Sequence, residues 1–392
     1  MIADRSRERG VTHVIHSARL VSGGTQTPDA WVAFSGDTVS ALGTGTSWSD
    51  LGVVADAVTD AAGRWLTPGF IDIHCHGGGG ASFDDGAESI ATAIALHQRH
   101  GTTRIVISLV SASAAQTSAR LATVATETER DPLVLGAHLE GPFLNHTFRG
   151  AHDGALLREA DADSVARLLA AGRGSIRQVT IAPELPGSTA AIAALLAAGV
   201  RVAVGHTAAD FNTTLAAFAS GASILTHAFN AMHGIHHREP GPVMAAIRSS
   251  DVILEIINDG THVHPEIVRL AFDEAPGRIA LVTDAMAAAG ASAGRYILGT
   301  LPVTVTDGVA RLDDGGAIAG STLTMDEALR RTVIDAGVAI EDAVTAATST
   351  PARAVGREHD LGQLAVGFAA DAVLLDEDLR VDVVFAAGRR LH

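Results

Sequence analysis

His74 and His76 stand two apart at the end of an apolar run, and residues two apart on a strand project from the same face. Two imidazoles so placed can grip one cation, while Cys75 between them points the other way. Other polar residues close apolar runs in the same manner: Glu140 just before Gly141-Pro142, His206 between Gly205 and Thr207, His227 between Thr226 and Ala228, and Asp284 between Thr283 and Ala285. Any one of these alone reads as a satisfied core histidine or a helix-capping carboxylate, since the chain has 18 histidines. Their recurrence argues for more, because burying uncompensated imidazoles and carboxylates together costs several kcal/mol unless they pair or hold a cation. A nitrogen-and-oxygen set without thiolate suits one or two divalent ions, zinc first, with iron, cobalt or manganese as alternatives. A cation with an open coordination position lowers the pKa of its water to about 7 and polarises a carbonyl, so the expected chemistry is hydrolysis. Asp284 is the residue suited to take and return the proton.

Other chemistries are excluded or weak. No lysine occurs in the chain, which removes Schiff-base catalysis, the phosphate-loop lysine and the carboxylated lysine that bridges two metals in several barrel hydrolases. Glu140 is then the natural acidic ligand. Gly290-Ala291-Ser292-Ala293-Gly294 matches the pattern of a nucleophile elbow, but Ser292 lies eight residues beyond Asp284 rather than directly after a strand. The glycine run 77–80 lacks the Lys-Ser/Thr ending of a phosphate loop and lets the chain turn away beside the histidines.

Positioning so many polar groups requires a scaffold that brings run ends together. Eight apolar runs, 70–76, 104–110, 133–141, 176–184, 201–207, 223–231, 252–259 and 279–284, alternate with Ala/Leu-rich segments of helical period. Helices are predicted at 88–100, 163–171 and 189–198, closed by Gly101, Gly172 and Gly199 in the left-handed position after a helix. Eight such units predict an α/β chain built as a (β/α)8 barrel of the TIM type, whose active site forms where the C-terminal strand ends share one cavity. Short alternating runs in 11–62, and again at 372–375 and 381–385 after helices at 325–336 and 340–354, predict a small β-sandwich domain built from both chain ends. The domain boundaries are therefore 1–63 with 355–392 for the small domain and 64–354 for the barrel.

The 392 residues include 47% hydrophobic ones, ample for a large core, and carry a net charge of −16. So acidic a surface repels phosphate backbones and anionic lipid, which argues against nucleic acid and membrane as partners. An anionic ligand would need a local basic pocket. A charged, polar start and a single cysteine, Cys75, predict a cytoplasmic protein without disulfides.

Ordered motifs along the barrel carry a resemblance. They are Pro68-Gly69-Phe70-Ile71-Asp72, His138-Leu139-Glu140-Gly141-Pro142-Phe143, Gly150-Ala151-His152, Gly205-His206-Thr207, Thr226-His227-Ala228-Phe229-Asn230-Ala231-Met232, Arg238-Glu239-Pro240-Gly241, Asp259-Gly260-Thr261-His262, Val282-Thr283-Asp284-Ala285 and Ala319-Gly320-Ser321. The chain resembles the amidohydrolase superfamily and, within it, the deacetylases of N-acetylglucosamine 6-phosphate. The resemblance implies that Glu140, His206 and His227 hold the principal metal, that His74 and His76 allow a second, and that Asp284 is the catalytic acid/base. It further implies that Ala151, His152, Asn230, Ala231 and His262 contact the sugar and its acetamide, and that Ile318, Ala319 and Gly320 close over the ligand. Arg238 resembles the family arginine that reaches across a homodimer interface to a sugar phosphate. The alternatives are a deacetylase for the galactosamine epimer, an N-acyl-amino-acid amidohydrolase, and a catalytically silent barrel that binds a sugar phosphate.

Overall fold

The computed structural model describes residues 12–52 and 57–391. Its centre is a ring of eight parallel strands in chain order: Phe70–Cys75, Thr102–Val110, Val134–Glu140, Ile176–Ile181, Arg201–Val204, Ile224–Leu225, Ile253–Ile256 and Ile279–Leu281. Each pairs in parallel with the next. The chain beyond the eighth strand then bonds back to the first, Asp284 N–H to His74 O at 2.8 Å and His76 N–H to Ala285 O at 2.8 Å. This is the (β/α)8 barrel that the alternating pattern predicts.

Helices follow from local chemistry. Ser113 and Gln116 form a reciprocal capping box that starts Ala114–Arg130, and the Asp161 and Asp210 carboxylates cap Ala162–Gly172 and Phe211–Ala219. Two expectations are corrected here. Gly172 is not the left-handed residue after its helix; Arg173 takes that role at φ 47°. Gly172 is needed for space instead, since a Cβ there would come within 2.5 Å of the Ile176 side chain. The segment 340–354 is not one helix but two, Ile340–Ala347 and Ser349–Ala354, broken at Thr348, because Pro351 has no N–H to continue the first ladder.

Strands from both ends of the chain form a second sheet in the order Arg389–Arg390, Val381–Ala386, Ala372–Leu375, Trp65–Pro68, His13–Ser22, Thr25–Ser35 and Thr38–Thr44, with Val58–Asp60 also on His13–Ser22. Phe34 and Phe385 lie in strands far apart in that order, yet their rings meet edge-on at 5.8 Å, so the sheet curls over its own core. Trp65–Pro68 belongs to this sheet, pairing with His13–Ser22 and Ala372–Leu375. The boundary at residue 64 therefore falls too early: the barrel begins only after Gly69, because the edges offered by the chain ends need this strand between them. The opposite face of the sheet packs on the barrel through Val21, Val373 and Val384.

A further antiparallel sheet, Gly294–Leu298, Leu301–Thr306 and Val309–Leu312, stands beside the barrel mouth and is not among the elements expected above. Asp307 and Gly308 both have positive φ, the hairpin signature that an Asp-Gly pair between alternating runs announces.

Candidate metal centre

Glu140 ends the third barrel strand and receives histidines from all sides. Its Oε1 lies 3.0 Å from His206 Nε2 and 3.0 Å from His227 Nε2, and its Oε2 lies 3.0 Å from His76 Nε2 and 3.3 Å from His152 Nε2. His74 Nε2 completes the group at 3.4 Å from Glu140 and 3.5 Å from Asp284, with Asp284 3.4 Å from His76. All of these side chains are buried. Two clusters of potential ligands result, His74, His76, Glu140 and Asp284 on one side, and Glu140 with His152 and His206 on the other, to which His227 adds its Nε2. Glu140 is common to both.

The backbone is bent to achieve this. His206, His227 and Asp284 adopt positive φ of 49°, 27° and 47°, directly beyond the short strands that end at Val204, Leu225 and Leu281. Side-chain-bearing residues avoid that region, so their clustering here marks strain kept for function.

The donor set fits a cation. Phe148 offers only a carbonyl oxygen to His206 Nδ1 at 2.8 Å, so that ring nitrogen carries the hydrogen and Nε2 of the neutral ring is a bare lone pair. His74 repeats the arrangement, its Nδ1 facing Glu255 Oε2 at 3.0 Å. Yet His206 Nε2 is aimed at His227 Nε2 at 3.0 Å, and His74 Nε2 at His76 Nε2 at 3.2 Å. Ring nitrogens and carboxylate oxygens crowded so closely fit a positive charge held between them. Such spacings are also what ligand bonds of about 2.0–2.2 Å produce around one ion. Without an ion the carboxylates draw a proton instead: burial works against charge on the His74 ring, but Glu140 and Asp284 outweigh it and hold its pKa well above the usual histidine range. Burial likewise opposes ionisation of Glu140, but the surrounding histidines, His74 foremost, hold its pKa well below the ordinary carboxylate value. At His152 burial dominates and lowers the pKa, leaving a neutral ring.

The cluster opens into a cavity of about 350 Å³. Of the residues proposed for metal and catalysis, His76, Glu140, His206, His227 and Asp284 line it, while His74 is fully buried behind them. Ala151, His152, Asn230, Ala231, His262, Ile318 and Gly320 also line it; Ala319 instead packs into the small core under the three-stranded sheet. Arg238 is not on this wall. It is exposed, bonds His237 at 2.8 Å, and borders a separate depression with Asp210 and His233. Ser292 is exposed and is not on the cavity wall, which leaves the nucleophile-elbow pattern without a site.

Sequence reasoning missed Val110, Phe148, Ile257 and Leu298 on the wall, and Glu255 behind it. The apolar ones look like core residues. Glu255 had a signal, a carboxylate in the otherwise apolar strand Ile253–Ile256.

The family model for amidohydrolases matches residues 65–391. The chain belongs to the amidohydrolase family. This amidohydrolase is 36% identical over 383 residues to an N-acetylgalactosamine-6-phosphate deacetylase of Escherichia coli O157:H7, covering 97% of this chain and 99% of the relative. It is 37% identical over 350 residues to a human N-acetylglucosamine-6-phosphate deacetylase, covering 86% of this chain and 85% of the other. Among solved structures it superposes with a TM-score of 0.92 and 40% identity on a mutant N-acetyl-D-glucosamine-6-phosphate deacetylase of Mycobacterium smegmatis in complex with N-acetyl-D-glucosamine-6-phosphate, covering 97% of this chain and 99% of that one. An N-acetylglucosamine-6-phosphate deacetylase of Thermotoga maritima gives 0.87 at 28% identity, covering 97% and 99%. As a member of this family the chain is a hydrolytic enzyme, and among the described residues no helix is long and apolar enough to cross a membrane.

Proposed function

We propose that the chain hydrolyses the acetamide of N-acetylglucosamine 6-phosphate, releasing glucosamine 6-phosphate and acetate. The observation that carries this reading is the near-full-length likeness to a deacetylase structure that holds that sugar phosphate. The galactosamine epimer is a second reading, favoured by the E. coli relative that spans almost the whole chain.

Glu140, His206 and His227 would hold one divalent ion, zinc by the nature of the donors, and His74 and His76 with Glu140 and Asp284 a second. Bound there, a divalent ion supplies Lewis-acid polarisation of the carbonyl and a water of lowered pKa. The chain's own groups do the rest. Asp284 takes a proton from the attacking water and returns it to the departing amine, and His152 donates a hydrogen bond to the tetrahedral oxyanion. Asn230, Ala231, Ala151 and His262 orient the sugar, and Val110, Ile257 and Leu298 on the wall offer the acetyl methyl an apolar surface. Ile318 and Gly320 cover the ligand. Arg238 lies in a loop with Ile235 47% exposed, suited to packing against a second copy, so the phosphate grip belongs to a homodimer in which each Arg238 serves its neighbour. The setting is cytoplasmic, where sugar phosphates are kept.

Acetate release from N-acetylated hexosamines with and without the 6-phosphate tests the reading. Turnover is expected only with the phosphate, and Asp284→Asn is expected to keep the ion of Glu140, His206 and His227 and lose at least 10²-fold in kcat. Equal turnover of unphosphorylated sugars, or a near-normal rate in that variant, would overturn it.

A further inference from the structure

Glu255 lies in the seventh barrel strand with its side chain wholly buried, and no step above uses it. Its Oε2 accepts the Nδ1–H of His74 at 3.0 Å and the backbone N–H of His227 at 3.2 Å. Its Oε1 accepts from Gln178 Nε2 at 2.7 Å, across the barrel on the fourth strand. One carboxylate thus touches a histidine of the first strand and the chain that carries a histidine of the sixth, and a third strand holds the carboxylate still.

The two halves of the metal centre are not supported alike. His206 is oriented by the Phe148 carbonyl, a fixed backbone group, whereas among the described residues His74 has Glu255 alone for its ring hydrogen bond behind the site. Without an acceptor at Nδ1 the His74 ring is free to place its hydrogen on Nε2, the atom that faces Glu140 and Asp284. A ring protonated there cannot donate a lone pair to an ion.

We propose that Glu255 is a positioning residue that selects the metal-binding tautomer of His74 and so sets occupancy of the ion position formed by His74, His76, Glu140 and Asp284. The position of Glu140, His206 and His227 depends on it less, because Glu255 meets only the backbone of His227 and not its ring. This rests on the reading that the centre takes two ions. Partners behind metal-bound histidines typically govern metal affinity by 10- to 100-fold.

The test is titration of metal-depleted protein with cobalt(II), following the visible absorption of each equivalent and confirming stoichiometry by elemental analysis. Wild type is expected to take two ions per chain. Glu255→Gln is expected to fill one position normally and to bind the other 10- to 100-fold more weakly, with the absorption bands of that equivalent altered. Gln178→Leu, which loosens Glu255 without removing it, should weaken the same equivalent by a smaller factor and decides the matter if Glu255→Gln does not fold. Two ions bound with wild-type affinity and spectrum in both variants would overturn the role of Glu255. A wild type saturated by a single ion would instead overturn the two-ion reading beneath it.

Discussion

His97 shows how one side chain beside the metal centre governs behaviour in acid. It is fully buried, donates from Nε2 to the Gly77 carbonyl at 2.9 Å, and leaves Nδ1 without a partner among the described residues. A second proton would sit on that orphaned nitrogen, and burial pushes the pKa down to about 4 from an ordinary 6.5. Between these values the unfolded chain takes up a proton that the folded one refuses. The contribution of neutral His97 is therefore complete above pH 6.5 and is lost as pH falls toward 4, roughly 3 kcal/mol at about 1.4 kcal/mol per pH unit. Asp72 and Asp84, pushed up to about 6 by burial, act with the opposite sign, because their folded forms hold protons that the unfolded chain has released. Comparing urea denaturation of wild type and His97→Gln from pH 4 to 7 isolates the histidine. The variant should lose less stability than wild type on acidification, and parallel curves would contradict this account. The identities of the metal-binding candidates were legible as polar endings of apolar runs. The left-handed backbone of His206, His227 and Asp284 was not, since these residue types predict no such conformation.

Elements show the same division. All eight barrel strands were legible because buried parallel strands are continuous apolar runs. The runs at 201–207 and 223–231 overstate the strands, which stop at Val204 and Leu225 where the backbone turns to aim the histidines. The strand Trp65–Pro68 was not expected and fell inside the barrel bounds, because pairing partners distant in sequence leave no local mark. At the other end of the barrel the helices terminate with unsatisfied carbonyls and a partial negative charge. Arg278 answers one such terminus: its guanidinium donates to Ala246, Ser249 and Val252 carbonyls at 2.9–3.0 Å and to Ile247 at 2.9 Å, closing the helix Gly241–Arg248. Arg278→Ala should cost about 2–3 kcal/mol in chemical denaturation. Its kcat should stay within about twofold of wild type, because the reacting groups lie at the opposite face.

The molecule as a whole is joined by a buried fork. Arg104, on the second barrel strand, donates from Nε to Asp371 Oδ2 at 2.6 Å and from Nη2 to Oδ1 at 3.2 Å, and Asp371 also accepts the Ala387 N–H at 2.7 Å. Both side chains are over nine-tenths buried. Asp371→Ala leaves a guanidinium uncompensated between barrel and terminal sheet and should lower stability by about 3–5 kcal/mol, read as a fall in melting temperature. Replacing both, Arg104→Met with Asp371→Leu, should recover most of the loss, and a double variant no better than the single would show that the pair is not what joins the two bodies.

The strand Trp65–Pro68 lies between segments separated by about 350 positions, its neighbours coming from residues near 20 and near 373. During synthesis on the ribosome, one edge of that strand waits unpaired until nearly all of the barrel has been made. Unfinished chains thus expose a sticky flank that is sealed only when Ala372–Leu375 arrives beside it.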